Sequence, residues 1–164
     1  MGKYRYIKVR GFERPEPGIF LKNGKRWMLL KDNPMDFIID GFLFIGRKYV
    51  LREVYSNDLE FMNEVMTAKN EFSEISFPAF DLNNDEALFK QFLDEERLIQ
   101  VCLHNQKSTL VGKVISVSKK SFRMKLLSTK GMWLKDFNFK YETIRTINVD
   151  SDYLRSFKLL ARLK

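Results

Sequence analysis

The sequence predicts a mainly β chain (α+β): two small barrel units in tandem, each followed by a short helix. Three observations carry this. Fifteen Phe, six Tyr and two Trp among 164 residues make the chain 14% aromatic, and many of these stand beside Val and Ile. Flat and β-branched side chains favour pleated strands. Two stretches read alike, in order, on either side of the middle. The charge divides with them: residues 1–52 carry twelve Lys and Arg against five Asp and Glu, residues 53–96 two against twelve, and residues 97–164 fifteen against four.

The repeat sets the organisation. Arg5-Tyr6-Ile7-Lys8-Val9 matches Arg97-Leu98-Ile99-Gln100-Val101, and Gly18-Ile19-Phe20-Leu21 matches Gly112-Lys113-Val114-Ile115. Leu51-Arg52-Glu53-Val54 matches Ile144-Arg145-Thr146-Ile147, and Leu59, Met62 and Val65 match Leu154, Phe157 and Leu160. The offset drifts only between 92 and 95 residues. The expected division is a first β-rich unit with its helix at 1–69, an acidic linker with a helix at 70–95, and a second β-rich unit with its helix at 96–164.

Within the second unit, Ile99, Val101 and Leu103 alternate with Gln100, Cys102 and His104, the period of a half-buried strand. Val111 to Ser118 forms the next strand, Lys119-Lys120 a turn, and Phe122, Met124 and Leu126 a third strand with Arg123 and Lys125 on its polar face. Thr129-Lys130-Gly131 turns into a long aromatic strand, Met132 to Tyr141. Ile144 to Val149 is a short fifth. Several short strands separated by turn signals predict a small barrel. Asn57, three before Glu60, opens a helix with Leu59, Met62, Val65 and Met66 on one face. Phe77-Pro78-Ala79-Phe80 reads as linker or packed loop. Asn83, three before Glu86, caps a helix near 84–95 whose Leu88, Phe89 and Phe92 face a core. Asp150 and Asp152 favour the N-terminal end of a last helix, and Arg162 and Lys164 its C-terminal end.

The run Val111-Gly112-Lys113-Val114-Ile115-Ser116-Val117-Ser118, the strand Phe122–Leu127 and the run Tyr141-Glu142-Thr143-Ile144-Arg145-Thr146-Ile147 resemble the strand order of Sm-like and related SH3-like small barrels. In those folds a glycine opens a bent strand, and a polar residue before an Ile leads the last one. Gly41-Phe42-Leu43-Phe44-Ile45 and Lys48-Tyr49-Val50-Leu51-Arg52-Glu53-Val54 occupy similar places in the first unit. The resemblance spans about 50 residues per unit. It implies an RNA-binding fold, but Sm proteins use an Arg-Gly pair in one loop, and the equivalent stretch here holds the reversed Gly46-Arg47.

Composition limits the function classes. A single cysteine, Cys102, cannot form an internal disulfide. Met1 to Arg10 carries four basic residues with no apolar run behind them, unlike a secretory signal, and no stretch approaches the roughly 18 apolar residues of a membrane span. The expectation is a cytoplasmic protein with no membrane partner. Asp81-Leu82-Asn83-Asn84-Asp85 opens like a calcium loop, but Glu86 and Phe92 stand where the loop needs Gly and Glu, which favours the helix cap. Cys102 and His104 would share one strand face, yet two ligands are too few for zinc. No phosphate loop or nucleophile elbow occurs. The expectation is therefore a non-catalytic protein with no cofactor.

The basic residues of the second unit carry the leading functional expectation. Lys119, Lys120 and Lys130 stand at turns, Arg123 and Lys125 share a polar strand face, and Trp133, Phe137 and Phe139 share one face of the next strand. Basic groups neutralise phosphates and aromatic rings stack on bases, so these residues, with Trp133 as the stacking ring, are candidates for binding RNA or single-stranded nucleic acid. Two competing readings stand beside it. Turn lysines keep β-proteins soluble while aromatic strands form core. Small barrels also serve as protein-interaction or self-associating modules through their strand edges.

Overall fold

The computed structural model describes residues 2–73 and 78–162. Met1, Phe77 and Lys164, named above, lie outside the described residues. The first half contains β1 (Tyr4–Val9), β2 (Glu16–Asn23), β3 (Trp27–Asp32), β4 (Phe42–Gly46), β5 (Val50–Glu53) and the helix α1 (Leu59–Ala68). Helix α2 (Asp85–Asp94) follows. The second half contains β6 (Leu98–Cys102), β7 (Thr109–Val117), β8 (Ser121–Leu127), β9 (Trp133–Lys140), β10 (Thr146–Val149) and α3 (Asp152–Arg162). Among the described residues the chain is mainly β, with ten antiparallel strands in one open sheet, in the order β5-β1-β2-β3-β4-β10-β6-β7-β8-β9. No helix among the described residues is long and apolar enough to cross a membrane.

The sheet is continuous through both halves and is not closed into a barrel. The join is the pairing of β4 with β10, where Phe42, Leu43, Phe44 and Ile45 face Val149, Asn148, Ile147 and Thr146. Pairing the two edges satisfies backbone groups that each half alone would leave open. Both halves repeat one strand order: the fifth strand, then first, second, third and fourth. The spacing is a constant 94 residues. Gly18 faces Asp32 and Gly112 faces Leu126. A bulge interrupts β2 between Phe20 and Lys22, and β7 between Val114 and Ser116. A single 3-10 turn, Arg47–Tyr49 or Tyr141–Thr143, precedes each fifth strand.

Close approach explains the two matching glycines. A Cβ on Gly18 would lie 2.4 Å from the Lys31 carbonyl oxygen, and one on Gly112 only 2.2 Å from that of Lys125. Backbone cannot yield as a side chain tip does. Gly112→Ala is expected to lower stability by about 1–3 kcal/mol, the usual cost of overpacking. Urea unfolding at fixed pH checks this, and an unchanged midpoint would contradict it.

The core lies in layers about this sheet. Ile7, Val9, Met28, Leu30, Leu43 and Ile45 form the interior of the first half, joined by Cys102 from β6. The equivalent inner face of the second half, including Val114, Phe122 and Met124, merges with Trp27, Leu29 and Phe44 from the opposite face of β3 and β4. Helix α2 fills the space between them with Leu88, Phe89 and Phe92, all fully buried. Helix α2 of the acidic segment thus sits against both halves. Its Asp85 accepts from Trp27 Nε1 at 2.9 Å and pairs with Arg26 at 2.6 Å. The cap of α2 is Asn84, whose side chain accepts from the Ala87 amide at 3.0 Å, and not Asn83, which instead accepts from the Lys25 amide at 2.8 Å. Helix α1 likewise begins one residue later than Asn57 predicts, with Asp58 at the cap position and no side-chain capping bond. Met62 and Met66 of α1 pack on Tyr4, while Leu154 of α3 packs on Leu98, 94 residues on from Tyr4.

Candidate nucleic-acid interface

The alternation of β8 sends Phe122, Met124 and Leu126 into the core and leaves Arg123 and Lys125 on the outer face. Opposite them, Phe139 pairs with Phe122 and Phe137 with Met124, so both phenylalanines take the inner face. Trp133 does not share it. A bulge between Lys125 and Leu127 shifts the register, and Trp133 stands opposite Leu127 on the outer face. The grouping of Trp133 with Phe137 and Phe139 is corrected accordingly: one extra residue in a strand reverses which side later residues occupy.

Trp133 is 38% exposed. The Lys113 ammonium lies 5.1 Å from its ring centroid and that of Lys125 6.0 Å away. Both are within the range at which a cation is drawn to an aromatic face. The ring forms one wall of a groove of about 230 Å³ between the sheet and α3, lined also by Glu96, Leu98, Lys113, Lys158, Ala161 and Arg162. Lys158 donates to the Glu96 carbonyl at 3.4 Å. The β8–β9 turn packs beneath α3, where Gly131 has φ of +72° and a Cβ there would meet Leu160 at 2.6 Å. That turn places Lys130 beside the same helix.

The six predicted residues therefore divide. Lys125, Lys130 and Trp133 lie toward the α3 end of β8 and β9. Lys119 and Lys120 lie at the other end, roughly 20 Å away at about 3.3 Å per strand residue. There they line a second depression, of about 370 Å³, with Arg26, Asp85, Lys140, Tyr141 and Glu142. Arg123 lies between the groups and forms an ion pair with Asp136 across the strand pair. Sequence reasoning missed Lys113, Lys158 and Arg162. The signal for the last two was present: Arg155, Lys158 and Arg162 recur at helical spacing, which makes one basic stripe. Lys113 follows from the same alternation that places Lys125, since the two face each other across β7 and β8.

Cys102 and His104 do not share a strand face. Strand β6 ends at Cys102, which is buried against the first half, while His104 is exposed in the following turn. Both faces of β6 are covered because β10 joins it to the other half. The Cys102 thiol donates to the Asn105 carbonyl at 2.7 Å, and burial pushes its pKa up to about 11, so it is held as the unreactive thiol. Among the described residues no cluster of three or more His, Cys, Asp or Glu could hold a metal ion. Comparison of the chain with protein-family models, with curated proteins and with solved structures finds no match.

Proposed function

We propose that the protein is a non-catalytic binder of RNA or other single-stranded nucleic acid, built on two five-stranded units that share the strand order of Sm-like or SH3-like small barrels while remaining open to one another as a single sheet. The observation that carries this reading is Trp133: an outward-facing, part-exposed ring with Lys113 and Lys125 at its face and Lys158 and Arg162 across the groove. A base stacked on the ring would bring its flanking phosphates to these cations. Lys119, Lys120 and Lys140 supply a second basic site farther along the same strands, within reach of the same nucleic-acid strand.

Titration of fluorescently labelled single-stranded RNA and DNA at several salt concentrations tests the reading. Affinity should fall steeply with salt, by about 0.7 log units per phosphate contact for each tenfold rise. Lys113→Ala combined with Lys158→Ala should reduce the slope by about 1.4. Trp133→Ala should cost about 1–3 kcal/mol of binding with the slope unchanged. Its melting temperature should move little, since the ring lies outside the buried core. Absence of binding at low salt would reject the proposal and leave the protein-interaction reading in its place.

A further inference from the structure

We infer that α1 and the β3–β4 loop form a docking site for a basic, amphipathic helix of a partner protein. The inference does not rest on nucleic-acid binding. An open hollow of about 410 Å³ lies between α1, β1 and that loop. Tyr6, Pro34, Met35, Phe37, Phe61 and Met62 give it apolar walls, and Asp36 and Asp58 charge them. Met35, Phe37, Ile38 and Phe61 are all exposed, and the rings of Phe37 and Phe61 meet edge to face with centroids 5.9 Å apart. Apolar side chains gathered in one exposed place mark an interaction surface. The loop is held ready by other groups. Asn33 Nδ2 donates to the carbonyls of Met35, Asp36 and Ile38 at 3.2, 3.1 and 2.7 Å, and Lys69 donates to that of Phe37. The repeat provides an internal control. The corresponding hollow of the second half, about 230 Å³, has Gln100 in place of Tyr6 and Val111 in place of Pro17, beside Ser128, Thr129, Tyr153 and Phe157. Among the described residues no charged one lines it. The same fold therefore forms without the rings and carboxylates of the first hollow.

Charge selects a basic partner. Residues 53–68 hold Glu53, Asp58, Glu60 and Glu64 with no basic residue, in a chain whose net charge is +8. Hydrogen bonds from Ser56 and Tyr6 hold the Asp58 carboxyl below its usual range, so it stays ionised. Complementary charge steers the partner in and rejects acidic competitors. Hydrogen bonding selects the helix. Strand β1 lies between β2 and β5, so the hollow has no open strand edge for an extended segment to join. Its polar groups are already engaged: the Tyr4 hydroxyl donates to Asn33, and that of Tyr6 to Asp58 at 3.0 Å. Pro17 and Pro34 have no amide hydrogen to give. An extended segment would bury backbone groups without partners here, whereas a helix satisfies its own. The rings and the adaptable Met35 would receive apolar side chains spaced along one helix face, with Asp36 and Asp58 meeting the cations beside them.

Fluorescence titration of a labelled peptide with the full chain tests this. The probe is a Leu/Lys peptide of about 18 residues, patterned to place its leucines on one helix face. It should bind with a Kd of about 10 μM or tighter and gain helix by circular dichroism as it does. A Leu/Glu peptide of the same pattern, and a scrambled Leu/Lys peptide with no apolar face, should each bind about tenfold more weakly or worse. Phe37→Ala and Phe61→Ala should each weaken binding of the Leu/Lys peptide by about tenfold. Both rings are exposed, so both variants should melt with the wild type, and either alone decides the point. Asp36→Asn suits the positive φ of 43° at that position and should weaken binding by about threefold, with a shallower dependence on salt. Leu134→Ala, in the corresponding hollow of the second half, should leave it unchanged. No binding of the Leu/Lys peptide below about 100 μM overturns the proposal. So does equal binding of the scrambled peptide, binding without a gain of helix, or full affinity in a folded Phe37→Ala or Phe61→Ala variant.

Discussion

Phe89→Ala is expected to remove about 3–5 kcal/mol of stability, the cost of deleting a buried aromatic ring. A domain of this size holds only about 5–15 kcal/mol in all. The ring is fully buried at the centre of α2. Its centroid lies 4.2 Å from that of Phe122, 5.0 Å from Tyr141, 5.5 Å from Phe92 and 6.4 Å from Trp27. These partners come from both halves of the sheet as well as from α2 itself. The cavity would open where the halves and the helix meet, and no single element could collapse to fill it. Leu159→Ala, at a residue 62% exposed on α3, is the control and should change stability by less than about 0.5 kcal/mol. Urea unfolding of the two variants beside the wild type decides the matter. Equal midpoints for all three would mean that α2 is not part of the cooperative core.

Phe89 also marks what the sequence made legible. Leu88, Phe89 and Phe92 lie on one helical face, and that local pattern located the helix and its buried side. The strands of the second half were legible for the same reason: alternation over β8 and the glycine turn before β9 are short-range signals. The join of β4 to β10 was not, since it brings together residues about a hundred positions apart through backbone bonds that leave no mark on either strand. The repeat shows the limit most clearly. Sequence matching sets Val9 against Val101, whereas the strand pairing makes Ile7 the counterpart of Val101. The slip is two residues. An even slip keeps every side chain on its own face, so alternation cannot detect it.

The candidate site was partly legible. Basic turns and an aromatic strand pointed to β8 and β9, but the bulge opposite Lys125 and Leu127 set Trp133 on the other face from Phe137. Alternation carries no warning of an inserted residue. The cations from α3 were invisible until the helix was docked, because helical spacing says which residues share a face and not what that face meets. The same position can also differ between halves. Thr146 and Ile147 of β10 are buried where Arg52 and Glu53 of β5 are exposed, because one strand is central and the other an edge.

Stability is expected to fall as pH rises from about 4 to about 7, by up to about 3–4 kcal/mol. Asp32 ends β3 and is almost wholly buried, and its side chain accepts from Asn148 Nδ2 of β10 at 2.8 Å across the join. Burial pushes its pKa up to about 7, with the charges of Glu16 and Asp40 adding to the rise and the Asn148 bond opposing it. Burial also raises Glu16, whose carboxylate accepts from Gln106 at 2.8 Å. The sign follows from the protons. Between about pH 4 and 7 the native state keeps a proton on Asp32 that the unfolded chain has released, so raising the pH favours unfolding. Above about 7 the Asp32 carboxyl is ionised in both states and its contribution levels off. Asp32→Asn keeps an oxygen for Asn148 and cannot ionise. Its midpoint in urea should exceed that of the wild type at pH 8, and the gap should narrow or reverse at pH 5. Glu16 would still give the variant a residual slope in the same direction, and Glu16→Gln on the same background should flatten it. Urea unfolding of the wild type and both variants at pH 5 and 8 reads these differences directly. A wild type more stable at pH 8 than at pH 5, or an Asp32→Asn variant that tracks it at both, would show that the carboxyl at the join ionises as freely as one in water.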